Sequence, residues 1–269
     1  MSRKHGKFCT YDRSSLPTCL SAHSLLPAHS SSGYCDIQGR RRVIEDFHSI
    51  HLDPGRNISY YLIADGHCGN LASKYVVSFL YNKLSVELDG LIRGNLSTAN
   101  WQEEIERNVT KVFHEIHEDF LKTAARSSHV SMDQSGTTAT VVLLTKYAFV
   151  IASLGDSRAV LASAGGDSRS AGAFKAIQLT TDHVASNESE KLLVQARGGY
   201  VVEKNGVYRV NGVLAITRSI GGTCLFNLFG KSMSCFLRAS FHSPNHFVFR
   251  CQLESIPVAR SPGTLVSRQ

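Results

Sequence analysis

The sequence contains no pair of cysteines separated by two residues, and its seven cysteines have no regular spacing. This absence argues against a disulfide framework and against a zinc finger. Reduced thiols are typical of intracellular proteins, so we expect the cytoplasm or the nucleus. The mitochondrion is the alternative, because residues 1–32 are rich in serine and hold four Lys or Arg with only Asp12 as an acid. We favour a disordered N-terminal tail as the interpretation of these residues.

Long hydrophobic runs are also missing. The longest apolar stretch, residues 139–154, is interrupted by Thr145-Lys146-Tyr147 and is too short to cross a bilayer. The formal net charge of +7 is not gathered into a dense basic stripe, since Arg40, Arg41 and Arg42 form the only cluster. We therefore predict that the protein binds neither a membrane nor nucleic acid. The sequence indicates no oligomeric state.

The composition is typical of a globular protein, with 42% hydrophobic and 19% charged residues. Three regions differ in composition and hydrophobic pattern. Residues 1–32 are polar and irregular, residues 33–222 alternate strand-like and helix-like patterns, and residues 223–269 contain six Phe and three Cys without steady periodicity. We place the folded domain at 33–222 and treat 223–269 as a divergent basic tail.

Apolar residues recur at helical spacing in two segments. The first contains Leu71, Tyr75, Val76, Phe79 and Leu84, and the second contains Ile105, Val109, Val112, Phe113, Ile116 and Phe120. A third helix is predicted over residues 187–197, with Asn187 and Glu190 as a capping pair and Gly198 as its stop.

Segments rich in β-branched and apolar residues predict strands. They cover residues 47–52, 59–64, 138–145, 148–153, 157–162 and 176–179. Lys146-Tyr147 is predicted to be the turn of a hairpin. Strands and helices are segregated rather than strictly alternating, which favours an α+β layered sandwich over a doubly wound parallel sheet.

Acidic residues stand where several predicted strands begin or end. Glu45 and Asp46 precede one strand, Asp65 follows another, and Asp156 lies in a corner after a third. Carboxylates gathered at one sheet edge suit hard cations such as Mg²⁺ and Mn²⁺. Asp-Gly and Gly-Asp are also ordinary turn dipeptides, so the single residues leave a metal site and plain turns as equal alternatives.

A set of motifs in a fixed order decides between these alternatives. The blocks are Arg41-Arg42-Val43-Ile44-Glu45-Asp46, Asp65-Gly66-His67-Cys68-Gly69, Ser135-Gly136-Thr137-Thr138-Ala139, Gly155-Asp156-Ser157-Arg158-Ala159-Val160, Leu179-Thr180-Thr181-Asp182-His183, Gly198-Gly199 and residues 209–221. Motif after motif, residues 33–222 resemble the type 2C (PPM) metal-dependent protein serine/threonine phosphatases. The resemblance implies the layered α-β-β-α sandwich of that family, in an incomplete form.

The resemblance also implies a role for each matching residue. Arg41 would grip the substrate phosphate, and His67 would be the general acid that protonates the leaving oxygen. The implied metal ligands are Glu45, Asp46, Asp65, the carbonyl of Gly66, and Asp156. Among these, Asp65 would bridge two metals and Asp156 would hold a third, weaker one.

The implied reaction is direct hydrolysis of phosphoserine or phosphothreonine in phosphoproteins, without a phosphoenzyme. The implied cofactor is a two-metal centre of Mg²⁺ or Mn²⁺ that deprotonates a bridging water. Positive charge from the metals and from Arg41 would stabilise the phosphoryl oxygens.

The sequence departs from the family pattern after residue 222. Gly222 stands where the family motif continues from Ser-Ile-Gly into Asp, and no aspartate follows Asp182. We expect residues 223–269 to leave a second metal short of ligands and the sheet edges unpaired. Two interpretations remain: an active phosphatase, or a catalytically inactive phosphatase-like binding protein or unstable splice product.

Overall fold

The computed structural model describes residues 32–93, 100–126, 134–145, 149–164, 174–222, 238–242 and 247–252. The predicted N-terminal tail up to residue 31 and the predicted Lys146-Tyr147 turn lie outside these residues. In chain order the elements are β1 (Phe47–Asp53), β2 (Ile58–Ala64), β3 (Gly66–His67), α1 (Leu71–Glu87), α2 (Asp89–Arg93), α3 (Trp101–Arg126), β4 (Gly136–Thr137), β5 (Ala139–Leu144), β6 (Phe149–Leu154), β7 (Arg158–Ala164), β8 (Phe174–Gln178), α4 (Glu188–Ala196), β9 (Val201–Lys204), β10 (Val207–Val210), β11 (Ile220–Gly221), β12 (Arg238–His242) and β13 (Phe247–Gln252).

An antiparallel sheet in the order β1-β2-β5-β6-β12 forms the centre of the fold. Its side chains alternate between two faces, as strand geometry requires. Along β5, Val141 and Leu143 join the core under α1 and α3, whereas Val142 joins a second core on the other side. The central sheet is therefore buried on both faces.

The helices α1 and α3 cover one face of this sheet, because each carries an apolar stripe. The predicted stripe of α3 is confirmed, and its six apolar residues, Ile105, Val109, Val112, Phe113, Ile116 and Phe120, are each at most 1% exposed. In α1 the buried positions include Val76, Leu80 and Leu84, whereas Phe79 is 47% exposed. Although Phe79 recurs at helical spacing with the apolar residues of α1, Leu80 packs into the core instead, and the ring of Phe79 contacts Tyr75.

A second antiparallel sheet, in the order β13-β7-β8, packs on the other face of the central sheet. The contact is made by Ala159, Leu161 and Leu179 against Val142 and Ile151. The layers run from helices to sheet to sheet, which confirms the predicted α+β layered arrangement. No helix in the described part of the chain is both long and apolar enough to cross a bilayer.

The segment after residue 222 contributes strands to both sheets. β12 pairs with β6, and β13 pairs with β7. The expectation that this segment leaves the sheet edges unpaired is wrong at these two edges. Ladder hydrogen bonds use only backbone N–H and C=O groups, so an extended segment can cover an edge without carrying a family motif.

The helix α4 begins at Asn187 as predicted, and its side-chain Oδ1 accepts a hydrogen bond from the backbone N–H of Ser189 at 3.1 Å. Gly198, with φ of +86°, follows the helix and ends it. The predicted capping pair is wrong in its second member, because the carboxylate of Glu190 binds Arg218 instead of the helix start.

Candidate active site

A small three-stranded sheet brings distant motifs together. β4 lies between β3 and β11, so that Gly136 pairs with both His67 and Gly221. The backbone N–H of Gly222 adds a hydrogen bond of 2.8 Å to the carbonyl of Ser135. Three motifs that are far apart in the chain therefore meet at one edge of the central sheet.

Asp65 lies near two other carboxylates. Burial of Asp65, together with the charges of Asp46 and Asp156, raises the pKa of Asp65 to about 7. Asp46 is close enough to Asp65 to share a hydrogen bond with it, and the nearby Arg41 opposes the rise. The fold thus gathers four of the predicted site residues, and their roles as ligands and phosphate anchor stay predictions.

Glu45 lies next to this group but is engaged with the loop after β3. Its Oε1 accepts a hydrogen bond of 2.7 Å from the backbone N–H of Gly69. Its backbone carbonyl accepts hydrogen bonds from the N–H of Gly66 at 3.2 Å and from the hydroxyl of Ser73 at 2.7 Å. Through these hydrogen bonds Glu45 holds the loop that follows Asp65.

Gly66 has a steric reason to be glycine. A Cβ atom at this position would lie 2.5 Å from the carbonyl oxygen of Glu45 and 2.8 Å from the hydroxyl of Ser73. Real Cβ atoms do not approach so closely, hence any side chain would push β3 away from the residues that flank Asp46. The glycine of the Asp-Gly dipeptide is therefore required by packing.

His67 is buried against glycine. A Cβ atom on Gly136 would lie 2.3 Å from Nε2 of His67, and one on Gly222 would lie 3.4 Å from it. Nε2 has no hydrogen-bond partner among the residues that the structure describes. Burial lowers the pKa of the imidazole to about 4, so the ring is neutral at neutral pH.

The corner that carries Asp156 is held from the other side by the Asp182-His183 motif. Nδ1 of His183 accepts a hydrogen bond of 3.1 Å from the N–H of Gly155, and the N–H of His183 donates to the carbonyl of Gly155 at 2.9 Å. Arg158 forms an ion pair with both carboxylate oxygens of Asp182. These contacts explain why the two motifs lie side by side although some twenty-five residues separate them in the chain.

Carboxylates of the predicted ligand set lie near Asp65 without forming a complete metal site among the described residues. Asp46, Asp65 and Asp156 repel one another, and a cation among them would relieve the strain seen in the raised pKa of Asp65. Within the described ranges, no three His, Cys, Asp or Glu side chains are placed to hold a metal ion. Gly222 has no carboxylate, and no aspartate follows Asp182 in the sequence.

The sequence did not indicate the roles of three polar residues that form hydrogen bonds at the site. Ser135 accepts a hydrogen bond from the N–H of Ala72 and donates one to the carbonyl of Gly69, both at 3.0 Å. Nδ1 of the buried His117 accepts a hydrogen bond of 3.2 Å from the N–H of Gly221. Thr138 contacts the backbone of Asp65. Ser135 and Thr138 lie in a motif that was recognised in the sequence, but the motif did not reveal their roles. His117 could have been recognised as a candidate because it is a polar residue in the apolar stripe of α3.

Several curated proteins are similar to this chain. It is 35% identical over 215 residues to the mitochondrial protein phosphatase 1K of Xenopus laevis, and the aligned residues cover 77% of this chain and 51% of that protein. It is 32% identical over 204 residues to protein phosphatase 1L of Bos taurus, covering 75% and 52%. It is also 31% identical over 197 residues to probable protein phosphatase 2C 52 of Oryza sativa subsp. japonica, covering 72% and 35%. The chain thus spans between about a third and about half of the length of these relatives.

Solved structures show the same fold. The serine-threonine phosphatase 2C from Toxoplasma gondii superposes with a TM-score of 0.61 at 20% identity, covering 77% of this chain and 72% of that one. A C. elegans sex determining protein gives a TM-score of 0.60 at 23% identity, covering 76% and 46%. At these identities the similarity shows the fold, which is the α+β sandwich of the type 2C phosphatases.

The family model described as protein phosphatase 2C matches residues 30–248. The match extends past residue 222, and the predicted domain boundaries at 33 and 222 stay predictions. The order of the motifs, the layered sheets and this match all agree, and the chain belongs to the protein phosphatase 2C family.

Proposed function

We propose that this protein is a metal-dependent serine/threonine phosphatase that hydrolyses phosphoserine and phosphothreonine in phosphoproteins. The observation that supports this most directly is the approach of Asp46, Asp65 and Asp156 to one another beside Arg41, since these residues come from three separate motifs. The family, whose members are metal-dependent, adds to this support.

Arg41 is proposed to bind the substrate phosphate. Its side chain is exposed, and a guanidinium can donate two parallel hydrogen bonds to a phosphate dianion. It is also close enough to Asp65 to act on the pKa of that carboxyl. A phosphate held by Arg41 would therefore lie beside the carboxylates.

His67 is proposed to protonate the leaving serine or threonine oxygen. With its pKa lowered to about 4, the imidazole holds no second proton at neutral pH. A phosphate dianion beside Nε2 would favour the charged ring and raise this pKa. Substrate binding would therefore protonate the imidazole, which could then act as the general acid.

A Mg²⁺ or Mn²⁺ ion is the proposed cofactor. When bound by Asp46, Asp65 and Asp156, it would supply the positive charge that activates water for attack on phosphorus. Glu45 and the carbonyl of Gly66 stay proposed ligands from the resemblance. The resemblance implies a two-metal centre, which is incomplete if the late aspartates of the family have no replacement.

A second candidate is a catalytically inactive phosphatase-like binding protein. It is favoured by Gly222 and by the absence of aspartate after Asp182, which leave one metal position without donors. Such a protein would still bind phosphorylated partners through Arg41 but would not turn them over.

The test is hydrolysis of a phosphothreonine peptide by the purified full chain, with and without Mn²⁺, beside an Asp65→Asn variant. Metal-dependent release of phosphate that is lost in the variant is expected. If the folded protein does not hydrolyse the peptide but binds it through Arg41, the proposal of a phosphatase gives way to the proposal of a binding protein.

The compartment of this protein is a separate proposal. Relatives from Xenopus laevis and Oryza sativa subsp. japonica are named as mitochondrial. We keep the cytoplasm or the nucleus as the expectation and the mitochondrion as the alternative. Fractionation of cells followed by antibody detection of the untagged protein decides between them.

A further inference from the structure

Three consecutive arginines lie at the surface beside Asp65. Arg40, Arg41 and Arg42 are all exposed, and Arg41 is close enough to Asp65 to act on the pKa of that carboxyl. The proposed function uses Arg41 alone. Arg40 and Arg42 form no ion pair with any residue that the structure describes, so their charges are available to a molecule that approaches from solvent.

Gln38 fixes the backbone that carries these arginines. Its Nε2 donates hydrogen bonds of 2.9 Å and 3.0 Å to the carbonyls of Arg41 and Arg42. The N–H of Arg41 donates to the carbonyl of Gln38 at 3.2 Å. Gly39 has a φ of +61°, which glycine adopts without strain. The turn is therefore held by its own backbone and by Gln38, while the guanidinium groups stay free to meet a ligand.

We propose that Arg40 and Arg42 select phosphopeptides in which an acidic residue stands one or two positions from the phosphothreonine. The inference rests on the proposed binding of the phosphate by Arg41. Consecutive Cα atoms are about 3.8 Å apart, and an extended peptide advances about 3.3–3.6 Å per residue. A carboxylate that close to a phosphate on Arg41 therefore comes within reach of a flanking arginine.

Charge and exposure favour an acidic peptide over a neutral or basic one. A guanidinium is charged at every physiological pH, and its fork of N–H groups fits a carboxylate as well as a phosphate. Like charges brought together at an interface are unfavourable, so a basic peptide would be disfavoured. Asp46 and Asp65 are less exposed than the three arginines, hence a peptide at the surface meets the arginines first.

A double substitution removes the two outer charges. Arg40→Gln with Arg42→Gln leaves Arg41 in place, and because both positions are exposed and lie outside helices and strands, the fold should tolerate the change. Arg107→Gln with Arg126→Gln is the matched control, since it removes the same charge from two exposed positions of α3. The thermal midpoint of each variant checks that it is folded.

The experiment compares two phosphothreonine peptides of equal length, one with Glu and one with Gln on both sides of the phosphothreonine. Phosphate release by the purified full chain with Mn²⁺ gives kcat/KM, and fluorescence anisotropy of the labelled peptides gives Kd. The unsubstituted protein is expected to prefer the Glu peptide about threefold to tenfold. The Arg40 and Arg42 double variant is expected to reduce this preference below about twofold, whereas the α3 control keeps it. Added salt should weaken the preference, because exposed charges are screened.

Equal use of the two peptides by the unsubstituted protein would overturn the inference and leave the phosphatase in place. So would a double variant that keeps the preference or weakens both peptides equally, and so would loss of the preference in the α3 control. Binding without hydrolysis would contradict the phosphatase, and the ratio of the two Kd values would still decide the role of Arg40 and Arg42. Binding of neither peptide would contradict both.

A labelled single-stranded oligonucleotide provides the last comparison. If it binds more tightly than the Glu peptide, and the Arg40 and Arg42 double variant abolishes that binding, the arginines form a nucleic-acid site and the inference is overturned. Weaker binding of the oligonucleotide than of the Glu peptide is the expected result.

Discussion

His67 and Gly222 face each other, and a Cβ atom on Gly222 would lie 3.4 Å from Nε2 of the imidazole. Gly222 occupies the position at which the family motif continues into aspartate. Its φ of +74° is in the left-handed region, which Asp and Asn enter more readily than other residues with side chains. A carboxylate at this position would lie close to Nε2.

Gly222→Asp is expected to raise the pKa of His67 from about 4, because an opposite charge beside the ring stabilises the imidazolium. Titration of the His67 ring signals by NMR measures the change. Gly222→Asn is the control, since it has the same shape without the charge. Equal pKa values for His67 in the two variants would contradict the assignment of these residues as neighbours.

The buried pair of Glu190 and Arg218 gives a stability prediction. Burial alone would raise the pKa of Glu190, which is 5% exposed, but hydrogen bonds from Arg218 and Thr217 hold it below its ordinary value. Glu190→Gln leaves the guanidinium of Arg218 uncompensated and is expected to lower the free energy of unfolding by about 3–5 kcal/mol. Urea denaturation measures this loss.

Glu188→Gln is the comparison for that experiment. Glu188 lies in the same helix and pairs with Lys191 at the surface, at 3.4 Å. Exposed pairs contribute little, so the free energy of unfolding should hardly change. A loss for Glu190→Gln no larger than the loss for Glu188→Gln would show that the buried pair does not stabilise the fold.

His183 gives a prediction about pH. Burial and the nearby Arg218 lower the pKa of His183 to about 4, despite the opposite influence of Glu190 and Asp182. Between pH 6.5 and about 4 the unfolded ring binds a proton and the folded ring does not, so the free energy of unfolding falls as the pH falls through this window. The full shift corresponds to about 3 kcal/mol.

His183→Asn tests this dependence, because Oδ1 of asparagine can accept the hydrogen bond from Gly155 but does not titrate. The decrease in the free energy of unfolding on acidification should be smaller in the variant, measured by urea denaturation above and below the window. His67 titrates in the same range, hence some decrease remains. An unchanged decrease would show that His183 is protonated in the folded protein.

The two phenylalanines of the helical layer should differ sharply. Phe113 is fully buried between α3 and the central sheet, whereas Phe79 is 47% exposed. Phe113→Ala is expected to lower the free energy of unfolding by about 3–5 kcal/mol, and Phe79→Ala by less than about 1 kcal/mol. Similar decreases in the free energy of unfolding for the two variants, measured by chemical denaturation, would contradict the exposure of Phe79 on α1.

Long periodic segments were predictable from sequence because their signal is local. The spacing from Ile105 to Phe120 identified α3, and the β-branched run at residues 138–145 identified β5. The hairpin of β9 and β10 was not predicted, because its short strands mix charged residues such as Glu203 and Lys204 with apolar ones. The exposure of Phe79 was also missed, since spacing alone does not decide which residue of a helical face meets the sheet.

The sequence by itself determined the family, the order of its motifs and the identity of residues such as Asp65, because these are properties of the linear chain. It also determined that no aspartate follows Asp182. Only the tertiary structure decided which groups meet: the two-residue strands β3, β4 and β11 have no periodicity of their own and exist because distant segments pair. The burial of His67 against glycine and the link from Asp65 through Thr138 to Ser157 follow from that pairing, since a hydroxyl finds its partners in space and not along the chain.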